Sequence, residues 1–370
     1  MKRHVKRIAA LCTAVTVIAG MSAIASAGGA AAKSGAKPPT PIPTLERRAK
    51  SENGLVIYGN PPKPFFQPVI DAFGKQYPDI KVEFTDLGDN QTFSKYQSEA
   101  AQGARTADMV IASAPASWVQ AVDNGVTANV TPTGLENFPS FTNQGHGVYV
   151  MSPEPILEVY NPTLISASDV PTTYADLAAA AKANPDKYKL VSYSIDNGLN
   201  YGAIYGLIKI QGSRTVWRNY DALAPHTKTF PEGLAGLQEL VQGGASIGYV
   251  SSGLGQGVIP NYGGLAAYTF MKDATPLIPR GIAVTSKASS PASAQLFLNF
   301  VLSQAGQDAL CAAGFEASMN NYQPTNGCTA SLTSLYQQVP KNSTYLVPIK
   351  KAVLDQQAAI TKRWNKAFHR

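Results

Sequence analysis

LVIYGNPPKPFFQPVIDAFGKQYPDIKVEF, residues 55–84, opens the regular part of the chain and decides its class. Leu55–Tyr58 is a short apolar run that stops at Gly59-Asn60-Pro61-Pro62, the pattern of a buried strand entering a turn. Pro64 suits a helix first turn. Phe66, Val69, Ile70, Phe73 and Tyr77 then recur at three- and four-residue spacing, one apolar helix face that Pro78 ends. Ile80-Lys81-Val82-Glu83-Phe84 alternates like a strand.

The alternation continues outward. A helix is predicted over Thr92–Gln102, a strand over Asp108–Ser113 and a helix over Pro115–Asn124. Strand and helix in turn over about 70 residues imply an α/β unit, a parallel sheet with helices on both faces. Ligands of such sheets sit beyond the carboxyl ends of the strands, here Tyr58-Gly59-Asn60 and Ser113-Ala114. A second alternation follows Gly147. Strands are predicted at Val148–Met151, Ile156–Tyr160, Lys189–Ile195, Ile247–Val250 and Leu265–Phe270, with helices at Tyr174–Lys182, Tyr201–Ile210, Val216–Leu223 and Gly233–Val241. Gly281–Thr285 returns as an apolar strand before a long helix, Pro291–Ala313, and a last one over Leu346–Phe368.

A length of 370 residues suits two domains. The low charged fraction, 15%, excludes bulk disorder and coiled coil. The net charge of +7 belongs to the N-terminus: residues 1–27 and 28–50 each carry +4, and residues 51–370 carry −1. A body of −1 has no basic field for nucleic acid. Lys2, Arg3, Lys6 and Arg7, the apolar run Ile8–Ala19 and Ala25-Ser26-Ala27 form a secretory signal peptide over residues 1–27, cleaved near Ala27. The mature protein is then periplasmic or secreted, and Cys12 is lost with the signal. Cys311 and Cys328 remain, an even pair that reads as a disulfide in an oxidising compartment. Residues 28–52, rich in Gly, Ala, Pro and Lys, read as a disordered linker.

Several stretches together resemble bacterial solute-binding proteins of ABC transporters. They are LVIYGN at 55–60, YPDIKVEF at 77–84, TADMVIASAPASWVQAVDNGV at 106–126, LEVYNPTLI at 157–165, PTTYADLA at 171–178 and TPLIPRGIAVTSKASSPASAQLFLNFVLSQAGQDAL at 275–310. The resemblance spans about 51–320 and is strongest to the iron(III)/phosphonate/thiamine-type branch. It implies a type II clamshell: lobe 1 over 53–158 plus 280–370, lobe 2 over 159–279, each a mixed sheet flanked by helices. It also implies a cleft that closes on a small solute, a monomer, and a transient partner, an inner-membrane ABC permease.

For the ligand, the resemblance points to YVSSGLGQGVIPNYG at 249–263, where iron(III) members carry a Tyr-Tyr pair; here Tyr262 stands alone. Ser251, Ser252 and Gly253 invite two readings: an anion-binding nest of N–H groups and hydroxyls, or a surface turn. With Asn60, Ser113 and the polar loop holding Asn197, Asn200 and Tyr201, the expected cleft is rich in neutral donors and suits a small oxyanion, a phosphonate or carboxylate. Arg280, before the return strand, pairs with that anion or is a solvated hinge residue. Tyr58, Tyr201 and Tyr249 either stack on an organic ligand or pack in the core. An iron(III) receptor is the alternative within the family.

A secreted enzyme such as a serine hydrolase is the alternative of another class. Gly244-Ala245-Ser246-Ile247-Gly248 matches the nucleophile-elbow motif, but a helix precedes Ser246 and a strand follows, the reverse of what the motif needs. Gly253-Leu254-Gly255-Gln256-Gly257 lacks dinucleotide-loop spacing. His4, His146, His226 and His369 show no helical metal spacing. The sequence therefore gives no cofactor, metal or catalytic assignment.

Overall fold

Two mixed β-sheets organise residues 38–369, the span described in the computed structural model. The signal peptide, Cys12 and the linker before residue 38 lie outside the described residues. The strands in chain order are β1 (Leu55–Gly59), β2 (Val82–Asp86), β3 (Met109–Ala112), β4 (Asn143–Gly145), β5 (Val148–Pro155), β6 (Leu157–Tyr160), β7 (Leu190–Tyr193), β8 (Thr227–Phe230), β9 (Ile247–Ser251), β10 (Ala267–Thr269), β11 (Thr275–Val284) and β12 (Thr344–Leu346).

The first sheet runs β2-β1-β3-β11-β5-β4, with β12 beside β11. Strands β1, β2 and β3 are parallel, whereas β11 runs antiparallel to β3 and β5. Strands β1 and β3, in its middle, are apolar almost without a break because both faces are covered. Met109 and Ile111 point into one core cluster with Phe66 and Phe73, while Val110 and Ala112 point into another with Phe93 and Trp118. The expected apolar helix face is real: Phe66, Val69, Ile70 and Phe73 are the buried residues of the helix Lys63–Gln76, and Phe73 meets Phe297 at 4.9 Å between ring centroids.

The second sheet runs β10-β6-β9-β7-β8. The chain passes from the first sheet to the second at Ile156, between β5 and β6, and returns over residues 270–274, between β10 and β11. The Ile156 amide donates to Pro276 O at 3.0 Å, so the two passages run side by side. The last helices, Lys351–Asp355 and Gln357–Ala367, send Val353, Ile360 and Trp364 into the core cluster that holds Tyr201, Tyr220 and Tyr249 of the second-sheet region.

Some expected elements differ. Part of the linker expected to be disordered, residues 28–52, is the helix Ile42–Ala49. Pro43 sits in its first turn, and Leu45 and Ala49, one turn apart, are buried beside the helix Pro291–Val301. Glu52 adds the reason for order: its carboxylate accepts from the amides of Ala292 and Ser293 at 2.9 and 2.8 Å, at that helix's N-terminus. The single helix expected over Pro291–Ala313 is two, Pro291–Val301 and Gln304–Ala312, because Ser303 caps the second by accepting from the Gly306 amide. A disulfide joins Cys311 and Cys328, with 5.8 Å between Cα atoms.

Candidate functional site

A cavity of about 400 Å³ opens at the carboxyl ends of β1, β2, β3, β7 and β9, with walls from both sheets. Its floor is a chain of polar contacts. Gly59 ends β1 and turns the chain so that Asn60 faces inward. Asn60 Nδ2 donates to Ser113 Oγ at 2.7 Å and to Asp89 Oδ1, and Asn60 Oδ1 accepts from Arg280 Nη1. Asp89 is the first residue of the helix Asp89–Ala101, and its Oδ1 also accepts from the Ser113 amide at 3.2 Å. Asp89 Oδ2 lies 3.1 Å from where a Cβ on Gly198 would stand, so the bare α-carbon of Gly198 gives it room.

Arg280 reaches the floor through a local break in β11. The register with β5 shifts between Arg280 and Gly281, a bulge that re-aims the side chain. At Gly281 a Cβ would lie 2.5 Å from the Trp118 indole, which donates to Ala112 O at 2.9 Å, so that position accepts no side chain. Arg280 is 2% exposed and spends its guanidinium on Glu154 of β5, through Nη2 to Oε2 at 2.9 Å and through Nε to Oε1. The Phe315 ring covers it at 5.6 Å. Ser252, just beyond β9, donates to Glu154 Oε2 at 2.8 Å, so Glu154 ties a residue from the second-sheet side to the first sheet.

The other wall holds Tyr193, Asn197, Glu232, Ser251 and Ser252. Asn197 caps the helix Gly198–Gln211, its Oδ1 accepting from the amides of Leu199 and Asn200 at 3.1 and 3.3 Å. Glu232 immediately precedes the helix Gly233–Val241. The carboxylates perturb one another. Burial pushes Asp89 up to about 6, against the pull of Arg280 and the Ser113 amide. Burial also raises Glu232, with Asp86 adding to it, and raises Asp86 itself against the Lys63 amide.

Of the residues expected at the ligand, Asn60, Ser113, Asn197, Ser251, Ser252 and Arg280 line the cavity. The others do different work. Tyr58 hydrogen-bonds Glu99 at 2.9 Å on a core face of the first sheet. At Gly59 a Cβ would stand 3.0 Å from the Phe84 ring. Asn200 is buried and donates to Tyr193 O at 2.8 Å. Tyr201 donates to Val353 O and Tyr249 packs edge-on against Tyr220, both fully inside the core. The stacking role considered for these tyrosines therefore gives way to packing.

Beyond Gly253 the loop closes on itself. The amides of Gly255, Gln256 and Gly257 bond back to the carbonyls of Ser252, Gly253 and Leu254, and the Leu254 amide bonds to Ser252 Oγ. The glycines serve close approach. A Cβ on Gly253 would meet Pro155 Cδ at 2.8 Å, and one on Gly257 would meet Gly314 Cα at 2.7 Å. Arg280 is neither a solvated hinge residue nor an unpaired anion receptor, because Glu154 neutralises it.

Sequence reasoning passed over Asp86, Asp89, Glu154 and Glu232. The strand-end rule, applied to β2 as it was to β1 and β3, points to Asp86 and Asp89. Glu154 was hidden by Pro153 and Pro155, which argue against a central strand. Glu232 follows β8, whose short Thr227–Phe230 run was not recognised as a strand.

Two mixed sheets flanked by helices, two side-by-side passages and a cavity walled by both halves define a clamshell binding protein of the type II class. The family profile of bacterial extracellular solute-binding proteins matches residues 69–327, so the chain belongs to that family. No curated protein matches the sequence. Among solved structures, the substrate-binding protein of an ABC transporter from Agrobacterium tumefaciens is similar at a TM-score of 0.77, with 20% identity, covering 86% of this chain and 95% of that one. The iron-bound HitA from Pseudomonas aeruginosa is similar at 0.68, with 18% identity over 85% and 99%. The periplasmic binding protein AfuA from Actinobacillus pleuropneumoniae, with fructose-6-phosphate bound, is similar at 0.69, with 16% identity over 85% and 98%. These likenesses confirm the fold.

Proposed function

We propose that this protein is the solute receptor of an ABC importer: it captures one small molecule in the cavity between its two sheets and hands it to a membrane permease. The observation that carries the reading is the cavity itself, walled by Asn60, Ser113 and Arg280 from one side and Tyr193, Glu232 and Ser251 from the other, in a chain of the solute-binding family. Closure of two halves about a pair of passages would bury a solute and present a closed surface to the permease. Export fits this role, and among the described residues no helix is long and apolar enough to cross a membrane.

The oxyanion expected from the sequence finds little support in the wall, where Asp86, Asp89 and Glu232 line the cavity and Arg280 is paired with Glu154. For iron(III), Tyr262 stands alone where iron members carry a tyrosine pair, and Tyr193 is the one tyrosine among the residues lining the cavity. For a serine hydrolase, Ser246 is buried and donates to Lys189 O at 3.2 Å, which leaves it no role as a nucleophile.

The test is capture from a bacterial metabolite extract. The full chain, immobilised and washed, should retain one small solute at one molecule per protein, released chemically unaltered on denaturation. Retention of nothing, or conversion of what is retained, contradicts the receptor reading.

A further inference from the structure

We infer that the cargo of this cavity is an organic cation, an amine or quaternary ammonium group on an apolar body; the inference rests on the receptor reading above. Charge comes first. Asp86 and Asp89 face the cavity from the first-sheet side, and Glu232 faces it from the other. Among the residues lining the cavity, Arg280 is the one cation, and both oxygens of Glu154 hold it. With that pair cancelled, the wall presents carboxylates and no counter-charge.

The second, independent observation is the apolar lining. Phe65, Leu199, Leu237, Val258 and Ile259 line the same cavity, and Leu234, 40% exposed, stands over it. A bare hydrated metal ion has no use for that surface. An anion would meet like charge, and a sugar, although its hydroxyls can hydrogen-bond the carboxylates, would neither neutralise them nor cover the apolar lining. An organic cation satisfies both halves: its body removes the apolar surface from water, and its charged head meets the acids.

The arrangement also couples binding to closure. Glu232 and the pair Asp86 and Asp89 belong to opposite walls and repel one another across the gap, Asp86 raising the Glu232 carboxyl and Glu232 raising that of Asp89. A cation between them turns that repulsion into attraction, so the closed form is favoured when the cavity is filled.

A defined mixture of choline, spermidine, tyramine, citrate, fructose-6-phosphate and glucose tests this on the immobilised full chain. The expected result is selective retention of one or more of the three cations. Glu232→Gln and Asp86→Asn, with unchanged circular dichroism, should each weaken the retained cation at least tenfold in calorimetric titration. Retention of citrate, fructose-6-phosphate or glucose instead overturns the inference and leaves the receptor reading standing. Retention of none of the six while an extract solute is captured also overturns it. Retention of nothing from either source overturns both. Undiminished affinity in both variants overturns the assignment of these carboxylates.

Discussion

Arg280 and Glu154 face each other across neighbouring strands β11 and β5, and the guanidinium meets both carboxylate oxygens in the floor of the cavity, each side chain at most 2% exposed. This pair decides how the wall is read. A free arginine there would have invited an anion; a neutralised one leaves Asp86, Asp89 and Glu232 to set the field.

Removing one partner should be severe. Glu154→Ala strands a buried guanidinium, and chemical denaturation should show a loss of about 3–5 kcal/mol. The double variant Glu154→Leu with Arg280→Met should recover much of it, because an apolar pair of similar size replaces the charges. A Glu154→Ala protein as stable as the parent would contradict the pairing.

Glu316 predicts a pH dependence of stability. Burial pushes its carboxyl up to about 8 from an ordinary 4.5, even with Gln256 donating to Oε2 at 2.9 Å. Between those values the native state holds a proton that the unfolded chain has released, so stability falls as pH rises, by at most about 1.4 kcal/mol per pH unit from this group. In Glu316→Gln the fall between pH 5 and pH 8 should flatten. An unchanged slope would assign it elsewhere.

Binding should depend on pH with the opposite sign. Asp89, at about 6, faces Arg280, Glu232 and Glu154, with Asn60 and Ser113 as its donors. A cationic solute favours the ionised form. Its affinity should therefore hold above pH 7 and fall as pH drops through about 6, and binding at pH 6 should release protons. Calorimetry in buffers of different ionisation enthalpy reads that release directly. Proton uptake on binding would contradict it.

The backbone at Gly281 should tolerate no side chain. Gly281→Ala puts a methyl group 2.5 Å from the Trp118 indole, so the bulge that aims Arg280 must shift. Thermal unfolding should move down by several degrees, and Trp fluorescence should report a changed environment. A neutral substitution would mean that β11 moves freely at this point.

The Cys311–Cys328 disulfide closes a span of 17 residues. Reduction should lower stability by roughly 3 kcal/mol on the chain-entropy account, measured by denaturation with and without reductant. An identical midpoint would show that the loop is held by its other contacts, such as Tyr322 to Asp308 at 2.8 Å.

Periodicity made the fold readable. Phe66, Val69, Ile70 and Phe73 announced a helix face, and the apolar runs at 55–58 and 109–112 announced strands covered on both sides. What failed were signals that packing overrides. Pro153 and Pro155 hid the length of β5, and a helix of two turns, Ile42–Ala49, owes its order to Leu45, Ala49 and its partner helix more than to propensity. At the site, strand ends pointed to Asn60 and Ser113. Within 249–257, composition could not tell the amides of Gly255, Gln256 and Gly257, which close their own turn, from amides free to bind an anion, nor a packed Tyr249 from a stacking one. The charge of the wall became visible only when Glu154 was found against Arg280, two residues 126 positions apart.

The most direct test of the receptor reading is hydrogen exchange on the full chain with and without the solute it retains from the metabolite extract. Protection should appear together at residues 60, 86–89, 113, 232–234 and 251–255, on both walls of the one cavity. Protection confined to one wall, or lying elsewhere on the molecule, would contradict a solute held between the two sheets.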